Sequence, residues 1–243
     1  MRIAIAILAA AALVSAADVK DFSKTVPLDA KGRFSLDTYK GSIHITAWDQ
    51  PQAEIQARIE TDPGWLAMPA DEVEIRVDGS ADSVRVKTDY GHHFNEGSLP
   101  LVHYTIRIPR NANLTVKDYK SESQISGIQG DVEFQTYKGT ARIEGLQGAF
   151  NLDTYKGDIR AIFARFSGAS RISTYKGTVD VALPRASAFE LRTGLGRRAG
   201  FDCDFSRTIH SVRRQSEIDG AVNGGGPALH VTSYRGDIRV RGI

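Results

Sequence analysis

Five copies of the tetrapeptide Thr/Ser-Tyr-Lys/Arg-Gly occur in this chain of 243 residues: Thr38–Gly41, Thr136–Gly139, Thr154–Gly157, Thr174–Gly177 and Ser233–Gly236. A degenerate sixth copy reads Asp118-Tyr119-Lys120-Ser121. Each copy sets an aromatic ring beside a cation. An aromatic face takes the apolar side of a sugar ring or a cation, and ammonium and guanidinium groups bond phosphate or carboxylate. The candidate ligand-binding residues are Tyr39, Lys40, Tyr119, Lys120, Tyr137, Lys138, Tyr155, Lys156, Tyr175, Lys176, Tyr234 and Arg235. A row of such pairs suits a repeating anionic or glycan polymer through multivalency. A second reading of the same row is structural, because stacked aromatic pairs contribute roughly 0.5–1.5 kcal/mol each beyond area burial. Neighbouring ammoniums about 5 Å apart repel by about 1 kcal/mol in water, and salt screens that cost. Asp37, Glu122, Asp153, Asp158 and Asp237 lie two before or three after a tyrosine and offer partial neutralisation.

Other reactive patterns are sparse. Gly194-Leu195-Gly196-Arg197-Arg198-Ala199 loosely matches a dinucleotide fingerprint, but Phe201–Phe205 reads as strand where that motif needs a helix. His92-His93 stands in a polar loop without a ligand triad. Asp202 and Asp204 flank the single Cys203 and share a strand face, the pattern of a solvated edge more than of a hydrolase pair. No nucleophile-elbow, zincin or phosphate-loop pattern occurs. We expect no catalytic residue, no metal and no cofactor.

The tyrosines of the central run, Tyr119, Tyr137, Tyr155 and Tyr175, are spaced by 18, 18 and 20 residues. Alignment on tyrosine shows how the side chains point. Three residues before it stand Leu36, Val116, Phe134, Leu152, Ile172 and Val231; six after it stand Ile45, Ile125, Ile143, Ala161, Val181 and Val240. Apolar and polar residues alternate within each half, which is the period of a half-buried strand. The two halves are out of phase, with Tyr-Lys-Gly between them, so each repeat reads as strand, corner, strand, turn. One such unit cannot bury its apolar face alone, and the period is too short for a crossover helix. The spacing predicts an all-β fold, a parallel β-solenoid resembling a single-stranded β-helix, with coils of about 18 residues stacked about 4.8 Å apart. A twisted antiparallel sandwich is the alternative, and it does not explain identical corners at this spacing.

Ala53–Glu60, Val73–Val77, Val84–Lys87 and Val102–Ile108 also alternate and read as strands, whereas 62–68, 78–82 and 91–100 read as loops or turns. The segment 1–16 has one early cation, Arg2, a short apolar run and small residues at its end, the pattern of a signal peptide rather than a membrane span. We expect residues 17–243 to form one domain: irregular over 17–110, regular over 111–184, with irregular coils over 185–243. Lys+Arg 31 against Asp+Glu 29 argues against a nucleic-acid binder. One cysteine excludes an internal disulfide and a Cys-rich zinc site.

The stretch from Val102 to Val116, VHYTIRIPRNANLTV, resembles the start of the repeat array in a bacterial β-strand-repeat family of unknown function, whose members carry the label "putative adhesin". The stretch from Gly224 to Val240, GGGPALHVTSYRGDIRV, is similar to that family's closing repeat. The resemblance runs from about residue 30 to the end. It implies an extracytoplasmic, non-enzymatic, mostly parallel β-solenoid and assigns no catalytic residues. Tyr-Lys stands where such repeats usually carry a small polar pair, so the corner is this chain's own feature. We therefore expect an exported binding or structural module, periplasmic or extracellular, whose partner is an envelope glycan, an anionic polymer or an envelope protein. No transmembrane segment remains after signal removal. Two rival readings are a polysaccharide lyase or hydrolase on a β-helix, and a scaffold that self-associates through strand edges at the solenoid ends.

Overall fold

The computed structural model describes residues 18–62, 67–91, 99–207, 210–214 and 217–243. The expected signal segment 1–16, part of the loop at 62–68, and His92-His93 lie outside the described residues. The strands begin with β1 (Val19–Pro27), β2 (Arg33–Asp37), β3 (Lys40–Trp48), β4 (Gln52–Glu60), β5 (Glu74–Ser80), β6 (Ser83–Asp89) and β7 (Leu101–Pro109). Next come β8 (Asn113–Asp118), β9 (Lys120–Ser126), β10 (Val132–Thr136), β11 (Thr140–Leu146), β12 (Phe150–Lys156), β13 (Ile159–Phe163), β14 (Ser170–Lys176) and β15 (Thr178–Leu183). The last are β16 (Phe189–Leu195), β17 (Gly200–Cys203), β18 (His210–Arg214), β19 (Glu217–Val222), β20 (Ala228–Ser233) and β21 (Asp237–Gly242). Short 3-10 turns stand at Ala70–Glu72 and Asp204–Arg207.

These strands form two large mixed sheets. The ten-stranded sheet runs β1-β4-β7-β3-β9-β11-β13-β15-β21-β17, and the eleven-stranded sheet runs β18-β19-β16-β20-β14-β12-β10-β8-β2-β6-β5. Each tetrapeptide crosses from the second sheet to the first. In the interior, every strand lies parallel to its equivalent in the next copy. Val132 pairs with Leu114 on one side and Phe150 on the other, and Ala141 pairs with Ile159. Pairing turns antiparallel at the flanks, between β1 and β4, β4 and β7, β5 and β6, β16 and β19, and β18 and β19. At three of the four sheet ends an antiparallel strand therefore follows the last parallel one, which covers edges that would otherwise template further pairing.

Alternation decides the core. Leu36, Val116, Phe134, Leu152, Ile172 and Val231 are all buried on the inner face of one sheet, and Ile45, Ile125, Ile143, Ala161, Val181 and Val240 on that of the other. Burying a Leu, Ile or Phe is worth roughly 1.5–3 kcal/mol, so these columns make stacking favourable coil by coil. At the coil ends away from the tyrosines, Phe150, Phe163, Phe166, Phe189 and Phe205 run edge to face through the interior at centroid separations of 6.2, 5.3, 5.7 and 5.3 Å.

The structure adds two features to the sequence reading and shortens one expected turn. The N-terminal stretch is not wholly outside the stack: β2 and β3 sit directly on β8 and β9, and β6 and β7 lie beyond them. The closing repeat is not the last layer either. Strands β20 and β21 insert between β14/β15 and β16/β17, so the segment that precedes them in sequence lies outside them in space. The turn expected at 78–82 is also shorter, because β5 continues to Ser80.

Candidate binding surface

The tetrapeptide owes its composition to the corner it makes. The residue before tyrosine is buried, and in two copies its hydroxyl closes the bend: Thr136 Oγ1 accepts the Gly139 N–H at 2.8 Å, and Ser233 Oγ accepts the Gly236 N–H at 2.9 Å while donating to the Gly236 carbonyl at 2.7 Å, whereas the buried Thr154 and Thr174 hydroxyls make no such bond. The final residue is glycine because the coils lie so close there. A Cβ on Gly157 would strike the Gly139 carbonyl oxygen, and one on Gly236 the Gly177 carbonyl oxygen. Gly41 and Gly177 also adopt φ of 133° and 131°, a region that disfavours any Cβ. With the flanking hydroxyl and glycine turned inward, the ring and the cation both project from the corner, which consecutive residues of a straight strand cannot do.

The degenerate copy solves the same problem with a carboxylate. Asp118 is buried; its Oδ2 accepts the Ser121 N–H at 3.1 Å and the Thr136 hydroxyl at 2.8 Å, and its Oδ1 accepts the Ser121 hydroxyl. Burial pushes its pKa above the usual carboxylate range, and the bonds from Ser121 and Thr136 offset only part of that rise.

Tyr39, Tyr119, Tyr137, Tyr155, Tyr175 and Tyr234 form one continuous stack. Successive centroids lie 4.4, 4.8, 4.6, 4.8 and 5.0 Å apart, with interplanar angles of 6–15°. The spacing follows the strand separation of about 4.8 Å. It exceeds the ~3.5–4.0 Å of atoms in contact, so the rings slip sideways into the offset arrangement that their quadrupoles favour. A consequence invisible in the sequence is that the interior rings spend their faces on each other and show solvent their edges and hydroxyls.

The two ends of the stack differ. At one end Tyr90 meets Tyr39 edge-on, at 6.2 Å and 71°. Burial holds the Tyr90 and Tyr104 hydroxyls well above their ordinary pKa, and the Tyr104 hydroxyl lies 2.7 Å from Thr88 Oγ1. At the other end Leu195 pairs with Ser233, which puts Gly196 in register with Tyr234. No ring stands at that position, and Tyr234 is 53% exposed, against 37–42% for Tyr137, Tyr155 and Tyr175.

Grooves flank the stack on both sides. One, of about 390 Å³, is lined by Lys138, Lys156, Lys176 and Arg235 together with Asp158 and Asp237. Lys138 Nζ lies 5.2 Å from the Tyr137 centroid and 5.6 Å from that of Tyr119, and the Arg235 guanidinium lies 5.4 Å from that of Tyr234. Asp158 uses Oδ1 to accept the Thr178 N–H at 3.0 Å, a structural bond. Among the described residues, no carboxylate lies within 4.0 Å of the charged ends of these four cations or of Lys120. Lys40 differs, because its ammonium pairs with Asp62 at 2.6 Å. The other groove, of about 560 Å³, holds Asp153, Ser173, Thr232, Gly194 and Gly196 beside Tyr155, Tyr175 and Tyr234.

Asp153 and Asp158 thus line opposite grooves, and Glu122 is exposed on β9. Asp204 accepts the Gly242 N–H at 3.1 Å, a structural bond, and burial pushes the half-buried Cys203 thiol up. No helix follows the Gly194–Ala199 segment, which joins strands β16 and β17. Among the described residues, no group of three or more His, Cys, Asp and Glu side chains is placed to hold a metal ion. No helix among them is long and apolar enough to cross a membrane. Sequence reasoning missed the Tyr90 cap, the Gly196 rung and the Lys40–Asp62 pair; the first two were legible only as an absent Tyr-Lys-Gly motif.

No protein-family model and no curated protein matches this sequence. Solved structures do. A putative cell adhesion protein from Clostridium sporogenes is 10% identical and superposes with a TM-score of 0.52, covering 92% of this chain and 100% of its own. A putative adhesin from Bacteroides fragilis is 14% identical with a TM-score of 0.48, covering 92% of this chain and 97% of its own. At such identities the likeness concerns the fold, and the fold of this chain is that of the structure named a putative cell adhesion protein, in keeping with the resemblance carried by residues 102–116 and 224–240.

Proposed function

We propose that this chain is an exported, non-enzymatic binding module of the bacterial cell envelope, a single domain built as a two-faced parallel β-solenoid. Its ligand is an anionic or glycan envelope polymer that lies along the Tyr-Lys corner. The observation that carries this reading is the row of cations without carboxylate partners, Lys138, Lys156, Lys176 and Arg235, lining one groove beside the stacked tyrosines. Fixed coil spacing presents one charge per coil, so the entropy of ordering the row is met by folding and not by binding. The tyrosines brace the row and offer hydroxyl groups along it. The name of the structural neighbour, a putative cell adhesion protein, fits a surface-binding role and an exported location. A glycoside hydrolase or lyase needs acidic groups converging on one bond, and here Asp153 and Asp158 face different grooves.

The double substitution Lys138→Glu with Lys156→Glu tests the reading. Both side chains are exposed, so the melting temperature should stay within a few degrees while binding to polygalacturonate, a polyanion of sugars, falls steeply. Binding of the unaltered protein should also weaken with added salt, as screening of exposed charges requires. Unchanged binding by the folded double variant refutes the cation row as the site.

A further inference from the structure

The cation row does not account for the larger groove on the opposite side of the stack. That groove contains the end ring of the stack that no further aromatic side chain meets among the described residues. Tyr39 has Tyr119 on one side and Tyr90 edge-on at the other, whereas Tyr175 is the one ring that meets Tyr234 among the described residues. The next coil continues past Tyr234 in register but carries Gly196 at the tyrosine position and Gly194 two residues before it. The Arg235 guanidinium lies over the ring at 5.4 Å from the centroid, within cation–π range, and still leaves Tyr234 more exposed than Tyr137, Tyr155 and Tyr175. Among the described residues no ring stacks beyond Tyr234, so the stack ends in an exposed aromatic ring.

The surroundings of that ring select a ligand. Along the outer side of the strands that lead to the corner, the side chain two residues before the tyrosine position is long at Lys117 and Gln135 and short at Asp153, Ser173, Thr232 and Gly194. The last four of these line the groove with Tyr234, so it opens where the exposed ring lies. Its polar side chains are the Asp153 carboxylate and hydroxyl-bearing residues, Ser173 and Thr232 among them, with no cation in its lining. Such a set hydrogen-bonds hydroxyl groups, and the carboxylate disfavours an anion. A flat apolar face ringed by hydroxyl-binding groups suits a sugar ring whose C–H side stacks and whose hydroxyls point outward.

We propose that the exposed ring of Tyr234, with Asp153, Ser173 and Thr232, is a single-ring subsite for a neutral pyranose, which stacks as the next rung of the tyrosine ladder. It deepens the reading of the corner as a glycan-binding strip and rests on that reading. The polymer's charged units lie along the cation row, and a neutral unit seats at the end of the stack.

Cellotetraose and chitotetraose, neutral β-linked oligomers, probe this subsite, and polygalacturonate probes the cation row. Binding is read by calorimetry and by saturation transfer from the protein to sugar C–H protons. The unaltered protein should bind at least one neutral oligomer. Tyr234→Ala should weaken it by up to about tenfold, the worth of one stacked ring, and Tyr234→Phe should retain it. Gly194→Gln fills the groove, its Cβ meeting only Thr232 Cγ2 at 3.3 Å, and should also weaken binding. Lys138→Glu with Lys156→Glu should leave the neutral oligomer bound. The subsite is overturned if neither oligomer binds the unaltered protein, or if Tyr234→Ala and Gly194→Gln, both folded by thermal melt, bind as well as the parent. Unchanged polygalacturonate binding by the folded lysine variant would instead sink the cation-row reading and leave the Tyr234 subsite standing.

Discussion

Replacing one ring in the middle of the stack separates a ladder that stabilises the fold from a row that merely decorates it. Tyr155 stacks on Tyr137 at 4.6 Å and on Tyr175 at 4.8 Å, so Tyr155→Ala removes two stacked contacts. At roughly 0.5–1.5 kcal/mol per pair, the stacking loss is about 1–3 kcal/mol. Tyr234→Ala removes a single contact, at 5.0 Å, and should cost about half as much. Tyr155→Phe keeps the ring and should be close to neutral, because that side chain is 42% exposed and its hydroxyl reaches water. The decisive measurement is a double-mutant cycle by urea unfolding, followed by both circular dichroism and fluorescence so that coincident transitions justify the free energies. Tyr137→Ala and Tyr155→Ala should couple by about 0.5–1.5 kcal/mol. Tyr119→Ala and Tyr175→Ala, which remove rings separated by others in the stack, should add to within ~0.3–0.5 kcal/mol. Equal coupling in the two cycles would refute the claim that stacking between neighbours holds the corner.

Further outcomes follow from the corner's construction. Gly157→Ala should destabilise by more than about 1 kcal/mol, because its Cβ meets the Gly139 carbonyl oxygen of the adjacent coil; a chain of this size then melts roughly 2–4 °C lower per kcal/mol, and an unchanged melting temperature would mean the coils are less closely stacked. Asp118→Thr restores the residue found in most copies and should show a pH-dependent difference from the parent. The folded-state pKa of Asp118 is raised by burial above its unfolded value, so the folded state binds the proton more tightly and the parent loses stability as pH rises through that interval. The melting temperature of Asp118→Thr relative to the parent should therefore be higher at neutral pH than below the ordinary carboxylate value of 3.8, and a relative gain on acidification would contradict the buried, raised carboxyl.

The site was partly readable from residues alone because its signals are local. A hydroxyl, an exposed ring, a cation and a glycine in four consecutive positions specify a capped corner, and the glycine is demanded by an approach that any stacked coil repeats. The alternation on either side fixed which residues are buried, down to the columns of Phe134 and Ile143. The short motif spacing also placed Tyr39 and Tyr234 in the same class as the central tyrosines, and both join the stack.

The order of the coils was a different matter. Strand β2 lies on β8 across a long insertion, and β20 wedges between β14 and β16. Alternating strands of like length fit one another almost interchangeably, so periodicity states which face a residue occupies but not which coil lies above it. That choice is made by long-range packing, and it alone decided that Tyr90 closes one end of the ladder, that Asp62 neutralises Lys40, that interior rings hide their faces, and that Gly196 sets no ring beyond Tyr234. Sequence therefore determined the strands, their buried sides and the chemistry of the corner; the tertiary structure decided which of those chemical groups remain available to a ligand.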